Sequence, residues 1–204
     1  MDVYRNFADL AQAEREGADF RVDLMKREGA TTVVLAPHGG RIEPGTSEVA
    51  RAIAGDDLSL ALFEGTKSRG NASLHITSTN FDEPRCLELV QAASSVVTIH
   101  GENSQGPVVY LGGRDSVLGA CICRALERSG YTVTLHDNPE LHGTAPANVC
   151  NRGARQAGVQ LELSLGLRQP LFESLTREGR SRPTHELKRF ANAVREGLRD
   201  NAAL

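Results

Sequence analysis

The stretch Thr32-Val33-Val34-Leu35-Ala36-Pro37-His38-Gly39-Gly40-Arg41-Ile42-Glu43-Pro44-Gly45 decides how this chain folds. It opens with a short apolar run led by β-branched residues, the composition of a strand covered on both faces. The run stops at a His-Gly turn, and the glycines and proline around Glu43 exclude a helix. A second segment, Ser95-Val96-Val97-Thr98-Ile99-His100-Gly101-Glu102, repeats the pattern of buried strand, histidine and glycine. In open α/β sheets the crevice beyond the strand C-termini is where ligands bind. Two imidazoles there, with a carboxylate five residues after the first, can share one divalent ion. Two nitrogens plus carboxylate oxygen is the donor mixture of catalytic zinc sites that keep a position for water. One Zn²⁺ on His38, Glu43 and His100, serving hydrolysis, is the expectation. The competing arrangement has each histidine capping its own strand and Glu43 in solvent.

The rest of the chain narrows the function classes. With 204 residues, 40% of them hydrophobic, it fits one domain over residues 1–204. Aromatic content of 4% without Trp leaves little material for base stacking, and a net charge of -3 gives no general attraction to nucleic acid or acidic membranes. Cys86, Cys121, Cys123 and Cys150 form no zinc-finger spacing and suit a reducing compartment. The first residues are charged, and no run approaches the roughly 18 apolar residues of a membrane span. The expectation is a cytoplasmic chain at synthesis, without signal peptide or membrane contact, and a monomer.

Alternation and helical spacing give the element order. A helix is expected over residues 6–17, a half-exposed strand over 20–25, the buried strand from 32, and a helix capped by Thr46 or Ser47 that stops near Gly55. Strands over 58–63 and 74–78 follow, then a helix over 84–93 opened by Pro84. After the second strand-His segment come a strand over 107–111, an apolar helix over 115–129 closed by Gly130, and a strand over 131–135. Residues 136–155 are irregular, 159–163 form a strand, and 183–198 an amphipathic helix. The fold class is α/β: a mostly parallel mixed sheet flanked by helices.

Several residues complete the candidate site. In Val159-Gln160-Leu161-Glu162-Leu163, Glu162 points away from Leu161 and Leu163 on a strand that should be buried, so it needs a partner. Beside an activated water it serves as general base; on an exposed edge strand it would do nothing. Arg152 beside Asn151, Arg168 after the Glu162 strand, and Arg41 between two proposed ligands are candidate clamps for substrate carboxylates. His75, His136 and His142 are candidates for outer-layer or substrate-contacting groups, though each reads first as a satisfied core or loop histidine. Gly112-Gly113-Arg114, between strand and helix, resembles a phosphate turn but lacks both standard spacings.

The segments Pro37-His38-Gly39-Gly40, Glu43-Pro44-Gly45-Thr46, Leu74-His75-Ile76-Thr77-Ser78, Phe81-Asp82-Glu83-Pro84, His100-Gly101, Asn151-Arg152-Gly153 and Gly158-Val159-Gln160-Leu161-Glu162-Leu163 together resemble the phage and bacterial poly-γ-glutamate hydrolase family. The likeness keeps a consistent order over roughly residues 20 to 200. It implies a zinc-carboxypeptidase-like fold and a zinc hydrolase of γ-glutamyl amide bonds in poly-γ-glutamate, an anionic polymer. It maps metal ligation onto His38, Glu43 and His100, and Glu162 onto the general-base glutamate of zinc carboxypeptidases. Those exopeptidases separate the first histidine and glutamate by three residues, whereas here the separation is five. For a phage enzyme, action outside the cell would follow lysis. Two rival functions are an amidohydrolase for another γ-glutamyl or N-acyl amide and a non-catalytic binder of anionic polymer.

Overall fold

The computed structural model describes residues 2–202. Among them one mixed sheet is built from β1 (Phe20–Met25), β2 (Thr32–Gly40), β3 (Ser59–Gly65), β4 (Ser95–Gly101), β5 (Val108–Gly113), β6 (Thr132–Thr134) and β7 (Val159–Leu163). The strand order is β1-β3-β2-β4-β7-β5-β6. The central β3, β2, β4 and β7 are mutually parallel, while β1 and β5 run antiparallel to β3 and β7. The chain therefore leaves β2 toward one side and returns on the other, which makes the C-terminal ends of β2 and β4 a topological switch point. The strand over 159–163 lies in the interior between β4 and β5, not at an edge.

Alternation assigns the two faces. Val34, Leu62, Val97, Ile99 and Leu161 join one core cluster beneath the helices α2 (Thr46–Ala54), α4 (Ser116–Arg128) and α7 (His185–Ala202). Val33, Leu35, Phe63 and Val96 join the other, covered by α1 (Phe7–Ala13) and α3 (Pro84–Ala92). Two short helices, α5 (Leu165–Arg168) and α6 (Arg177–Arg180), carry too few residues for a periodic signal and were not expected from the sequence. Among the described residues no helix is long and apolar enough to cross a membrane, and the four cysteines are free thiols.

Three expectations need correction. Residues 74–78 are not a strand: a 3₁₀ turn over Asn71–Leu74 leads into irregular chain, held where the Thr77 amide donates to Asp2 Oδ2 at 2.5 Å. Helix α2 is capped by neither Thr46 nor Ser47. Gly45, in the left-handed region, is its N-cap; the Thr46 hydroxyl donates to the Glu43 carbonyl at 2.8 Å, and the Ser47 hydroxyl accepts from the Gly40 amide at 2.9 Å. Nor do β2 and β4 stop at their histidines, since each continues through the following glycine.

One irregularity matters most. Along β2 and β3, Ala36 pairs with Leu62 but Gly39 pairs with Glu64, so β2 carries one extra residue. A bulge of one residue reverses the inside-outside sense of everything beyond it. His38 is thereby turned from the α2 face to the α3 face. Gly39 permits this, because a Cβ there would stand 2.2 Å from the Ser47 hydroxyl oxygen and 3.0 Å from the Phe63 carbonyl. Gly39→Ala should therefore destabilise the fold by about 1–3 kcal/mol, the ordinary cost of overpacking. Urea denaturation should show a lowered midpoint at unchanged slope; an unaltered midpoint would mean that Ser47 yields without cost.

Candidate active site

With the bulge in place, His38 from β2, His100 from β4 and Glu162 from β7 project on the same face at adjacent strand ends. His100 and Glu162 are direct register partners. All three are nearly inaccessible, at 2%, 2% and 6% exposure, yet line one cavity of about 400 Å³. Its wall is completed by Glu43, His75, Thr77, Glu102 and Gln160, among others.

The ring orientation of His38 is fixed from behind: its Nε2 lies 2.8 Å from the Ile76 carbonyl, an acceptor that makes this nitrogen the donor. Nδ1 is left facing the cavity, 3.0 Å from Glu43 Oε1 and 3.2 Å from His100 Nδ1. Glu43 is held by the Gly101 amide, which donates to Oε2 at 2.8 Å, and that same oxygen lies 3.9 Å from His100 Nδ1. The other nitrogen of His100 is buried without a hydrogen-bond partner. Donors about 2.0–2.1 Å from a tetrahedral Zn²⁺ stand about 3.3 Å apart, and the three separations of 3.0, 3.2 and 3.9 Å bracket that value. The residues present fit a divalent ion.

His75 adds a fourth donor. Its ring lies 3.9 Å from that of His38, centre to centre, its Nδ1 meets Asp2 Oδ1 at 2.7 Å, and its Nε2 is 3.8 Å from Glu43 Oε1. His38, Glu43 and His75 thus offer donor atoms within 4.8 Å of one another, a group that could hold a metal ion. Two triads share His38 and Glu43. In the one completed by His100, its Nδ1 lies 3.2 Å from His38 Nδ1 and both imidazoles are buried; His75 sits at the solvent side, about a third exposed.

The cluster separates the charges of its members. Burial raises the Glu43 carboxyl, but the His38 imidazole, its hydrogen bond, His100 and the Gly101 amide outweigh that and bring the pKa to about 2. Burial opposes charge on His38, yet Glu43 and the Ile76 carbonyl carry it upward overall. His100, where burial dominates and Glu43 compensates only in part, falls to about 3 and stays neutral. Glu162 goes the other way: burial, with Glu43 and Glu102 adding repulsion, raises it to about 8. Among the described residues its only side-chain hydrogen bond is from Gln160 Nε2 to Oε1 at 3.0 Å, and Gln160 is itself anchored through Asn148 Nδ2 at 2.9 Å.

Of the remaining sequence candidates, Arg168 lies beside Glu43 and His75, lining a neighbouring cavity with them, and the others lie elsewhere. Asn151 is 2% exposed and saturated: its amide donates to the Gly143 and Ala145 carbonyls, and its oxygen accepts from the Arg114 and Gly158 amides. It staples the loop of residues 143–158 and has no free atom for a substrate. The same bonds use up the Arg114 amide, so Gly112-Gly113-Arg114 forms no phosphate turn. Arg152 donates to the Phe81 carbonyl at 3.1 Å and does not line the cavity. Arg168, 2% exposed, braces the site by donating to the Leu163, Pro44 and Glu102 carbonyls at 3.0, 2.7 and 2.8 Å. Its guanidinium lies over Gly101, where a Cβ would meet Cζ at 2.8 Å. Arg41 turns away from the metal donors toward the Lys67 carbonyl, 2.6 Å from Nη1, and lines a different cleft. His142 meets the His136 carbonyl at 2.7 Å, and neither ring lines the cavity.

Asp2 and Gln160 have no role assigned from the sequence, and His75 enters there only as an outer-layer or substrate group. For Gln160 a signal existed, since it shares parity with Glu162 on a buried strand. For Asp2 none did, because its contact with His75 joins irregular chain segments 73 residues apart.

The comparisons with known proteins agree with this geometry. UPF0714 protein YndL of Bacillus subtilis (strain 168) is 41% identical over 172 residues, covering 84% of this chain and 67% of that protein. The zinc-free structure of YndL superposes with a TM-score of 0.92 at 37% identity, with complete coverage of both chains. The structure of a bacteriophage poly-γ-glutamate hydrolase gives 0.93 at 30% identity, covering 100% of this chain and 99% of that one. A putative carboxypeptidase from Burkholderia mallei, 12% identical, matches at 0.50 over 90% of this chain and 59% of that one, and so shares the fold alone. The family described as poly-gamma-glutamate hydrolase matches residues 4–193, a span that takes in His38, Glu43, His75, His100 and Glu162, and on that match the chain belongs to this family.

Proposed function

We propose that this chain is a zinc-dependent hydrolase that cleaves γ-glutamyl amide bonds of poly-γ-glutamate, with His38, Glu43 and His100 as ligands of one zinc ion and Glu162 as general base. The observation that carries the reading is the convergence of two imidazole Nδ1 atoms and one carboxylate at tetrahedral donor spacing, in the cavity that also holds Glu162. The zinc-free form of its relative YndL supports the choice of metal.

Zinc at these donors would act as a Lewis acid, acidifying water and polarising the scissile carbonyl. The chain's own residues do the rest. The Ile76 carbonyl keeps the proton of neutral His38 on Nε2 and its lone pair on Nδ1. Glu162 takes a proton from the attacking water at a carboxylate oxygen and passes it to the leaving amine nitrogen. Burial raises its pKa to about 8, which suits the second half of that transfer, delivery of the proton to the amine; the first half needs the ionised carboxylate, which the charge of a bound cation would favour. Gln160 fixes Oε1 and leaves the other oxygen for the transfer. Arg168 holds the Glu43-Pro44 and Glu102 segments against the end of β7, which keeps both carboxylates in register.

Zinc-loaded protein should shorten γ-linked glutamate polymer, seen by chain-length analysis before and after incubation; stoichiometric binding without shortening would point to a non-catalytic polymer binder. Glu162→Gln should retain zinc and lose turnover by about 10²–10⁴-fold. Full activity in that variant removes Glu162 from the mechanism. His38→Ala and His100→Ala should each lose zinc by elemental analysis, and full occupancy in both would exclude the ligand set.

Zinc affinity should depend on pH through His38. Its folded-state pKa lies above the ordinary 6.5, so below that raised value zinc must displace a proton; Glu43, at about 2, and His100, at about 3, need give up none near neutrality. Apparent affinity should fall by about tenfold per pH unit as pH drops through the His38 pKa and level off above it, as competition by one proton requires. Competition titrations with a chromophoric chelator measure the slope, and a flat profile from pH 5 to pH 8 would show that no ligand is protonated in the zinc-free protein.

A further inference from the structure

On the other side of β2 from the zinc donors, a second cleft of about 180 Å³ opens at the same C-terminal end of the sheet. Its floor is Gly40 of β2 and Glu64-Gly65 of β3, and its near wall is Arg21 of β1, the register partner of Glu64. Four arginines, Arg21, Arg41, Arg177 and Arg180, face only two carboxylates, Glu48 and Glu64, so the lining carries two positive charges in excess in a protein whose net charge is -3.

The arginines are not equally committed. Arg21 Nη2 is paired with Glu64 at 2.5 Å. Arg180, 6% exposed, is positioned by Glu48 Oε1 at 2.8 Å from Nε and by the Leu175 carbonyl at 2.7 Å from Nη1. Its Nη2 has no partner among the described residues. Arg41 uses Nη1 alone, toward the Lys67 carbonyl. Arg177 has no hydrogen bond or ion pair among the described residues. A rigid buried guanidinium flanked by two uncommitted ones is an arrangement that takes a carboxylate by forked, charge-assisted hydrogen bonds.

We infer that this cleft is a remote subsite for an α-carboxylate of the γ-linked polymer, with Arg41, Arg177 and Arg180 as its donors. The class of ligand, an anion bearing carboxylates, follows from the arginines; its identity as the polymer rests on the reading above. Every unit of a γ-linked chain keeps a free α-carboxylate, so a strand threaded past the zinc donors presents one at each repeat. Glu64 follows Phe63 of the α3-face cluster and so points to the α2 face, whereas His38 and His100 point to the α3 face. A polymer passing between the two places therefore crosses the carboxyl edge of the sheet as well as two inter-strand spacings, together about 10 Å. A γ-linked unit has five backbone bonds where an α-linked one has three, and therefore spans roughly 6 Å. The carboxylate that reaches the cleft then belongs to a unit at least two repeats from the bond being cut. A ligand of two residues is too short to occupy both places.

The test compares binding of γ-linked glutamate oligomers of two and eight residues, by calorimetry, to full-length zinc-loaded protein carrying Glu162→Gln, with and without Arg41→Gln plus Arg177→Gln. The octamer should bind the arginine-intact protein more tightly than the dimer. The double substitution should weaken the octamer by about tenfold or more, the usual worth of a hydrogen bond to a charged group, and leave the dimer unmoved. Arg177→Glu, a change on an exposed side chain, should weaken the octamer at least as much as the double variant. Equal loss for both lengths, or no loss for the octamer in either variant, overturns the subsite. Shortening of the octamer in this background would count against Glu162 as the base, and the arginine comparison would survive it because both proteins share that change.

Discussion

Everything at this site depends on one extra residue in β2. Strict alternation from Val33 and Leu35 would send residue 37 to the α3 face and His38 to the α2 face, into the apolar cluster of Val34, Ala36 and Val97. The register step between Ala36 and Gly39 inverts that sense and aims His38 at His100. The inversion needs two conditions: a residue at 39 without a Cβ, and something to take the Gly40 amide, which the Ser47 hydroxyl supplies from the first turn of α2. A local backbone irregularity, held by a helix on the opposite face, thus assembles the donors.

The second constraint is electrostatic. Glu43 and Glu162 line one cavity and are largely buried, and two neighbouring carboxylates there cannot both ionise at low cost. The surroundings divide them. Glu43 receives the Gly101 amide and two imidazoles and stays ionised, whereas Glu162 receives a single neutral amide from Gln160 and is pushed up to about 8. One carboxylate is thereby held as an anion and the other is disposed to keep a proton, the separation by which paired acids acquire different roles. Arg168 contributes by geometry, since its three backbone acceptors come from three separate segments that it ties together.

How much of this could be read in the sequence divides along the same line. The strands β1, β4 and β7 and the helices α4 and α7 were legible because burial on one or two faces imposes a period, and so was the placing of His38 and His100 at parallel strand ends. The bulge was not legible as a bulge: His-Gly-Gly looked like a turn, and only pairing with β3 shows that the strand continues. Residues 74–78 alternate like a strand, but long-range bonds donated to Asp2 and accepted from His38 override that local pattern. Asn151, Arg152 and Arg168 were read as substrate donors because Arg and Asn side chains look free in one dimension; each instead donates to backbone carbonyls, which no sequence pattern marks. Glu162 was legible because a lone acid among buried apolar neighbours is costly wherever it lies.

Arg41 links the two halves of this argument. In sequence it lies between His38 and Glu43 and so seems to belong with them. The bulge separates them: once β2 has been shifted by one residue, Gly40 has φ of 67° and pairs with Gly65, and the Arg41 amide donates to the Gly65 carbonyl at 3.0 Å. The chain then turns back through Ile42 to bring Glu43 under Gly101. Arg41 is left on the β3 side of β2 while Glu43 returns to the β4 side. The same register shift that gathers the two imidazoles and Glu43 therefore parts Arg41 from them and places its positive charge farther along the carboxyl edge of the sheet.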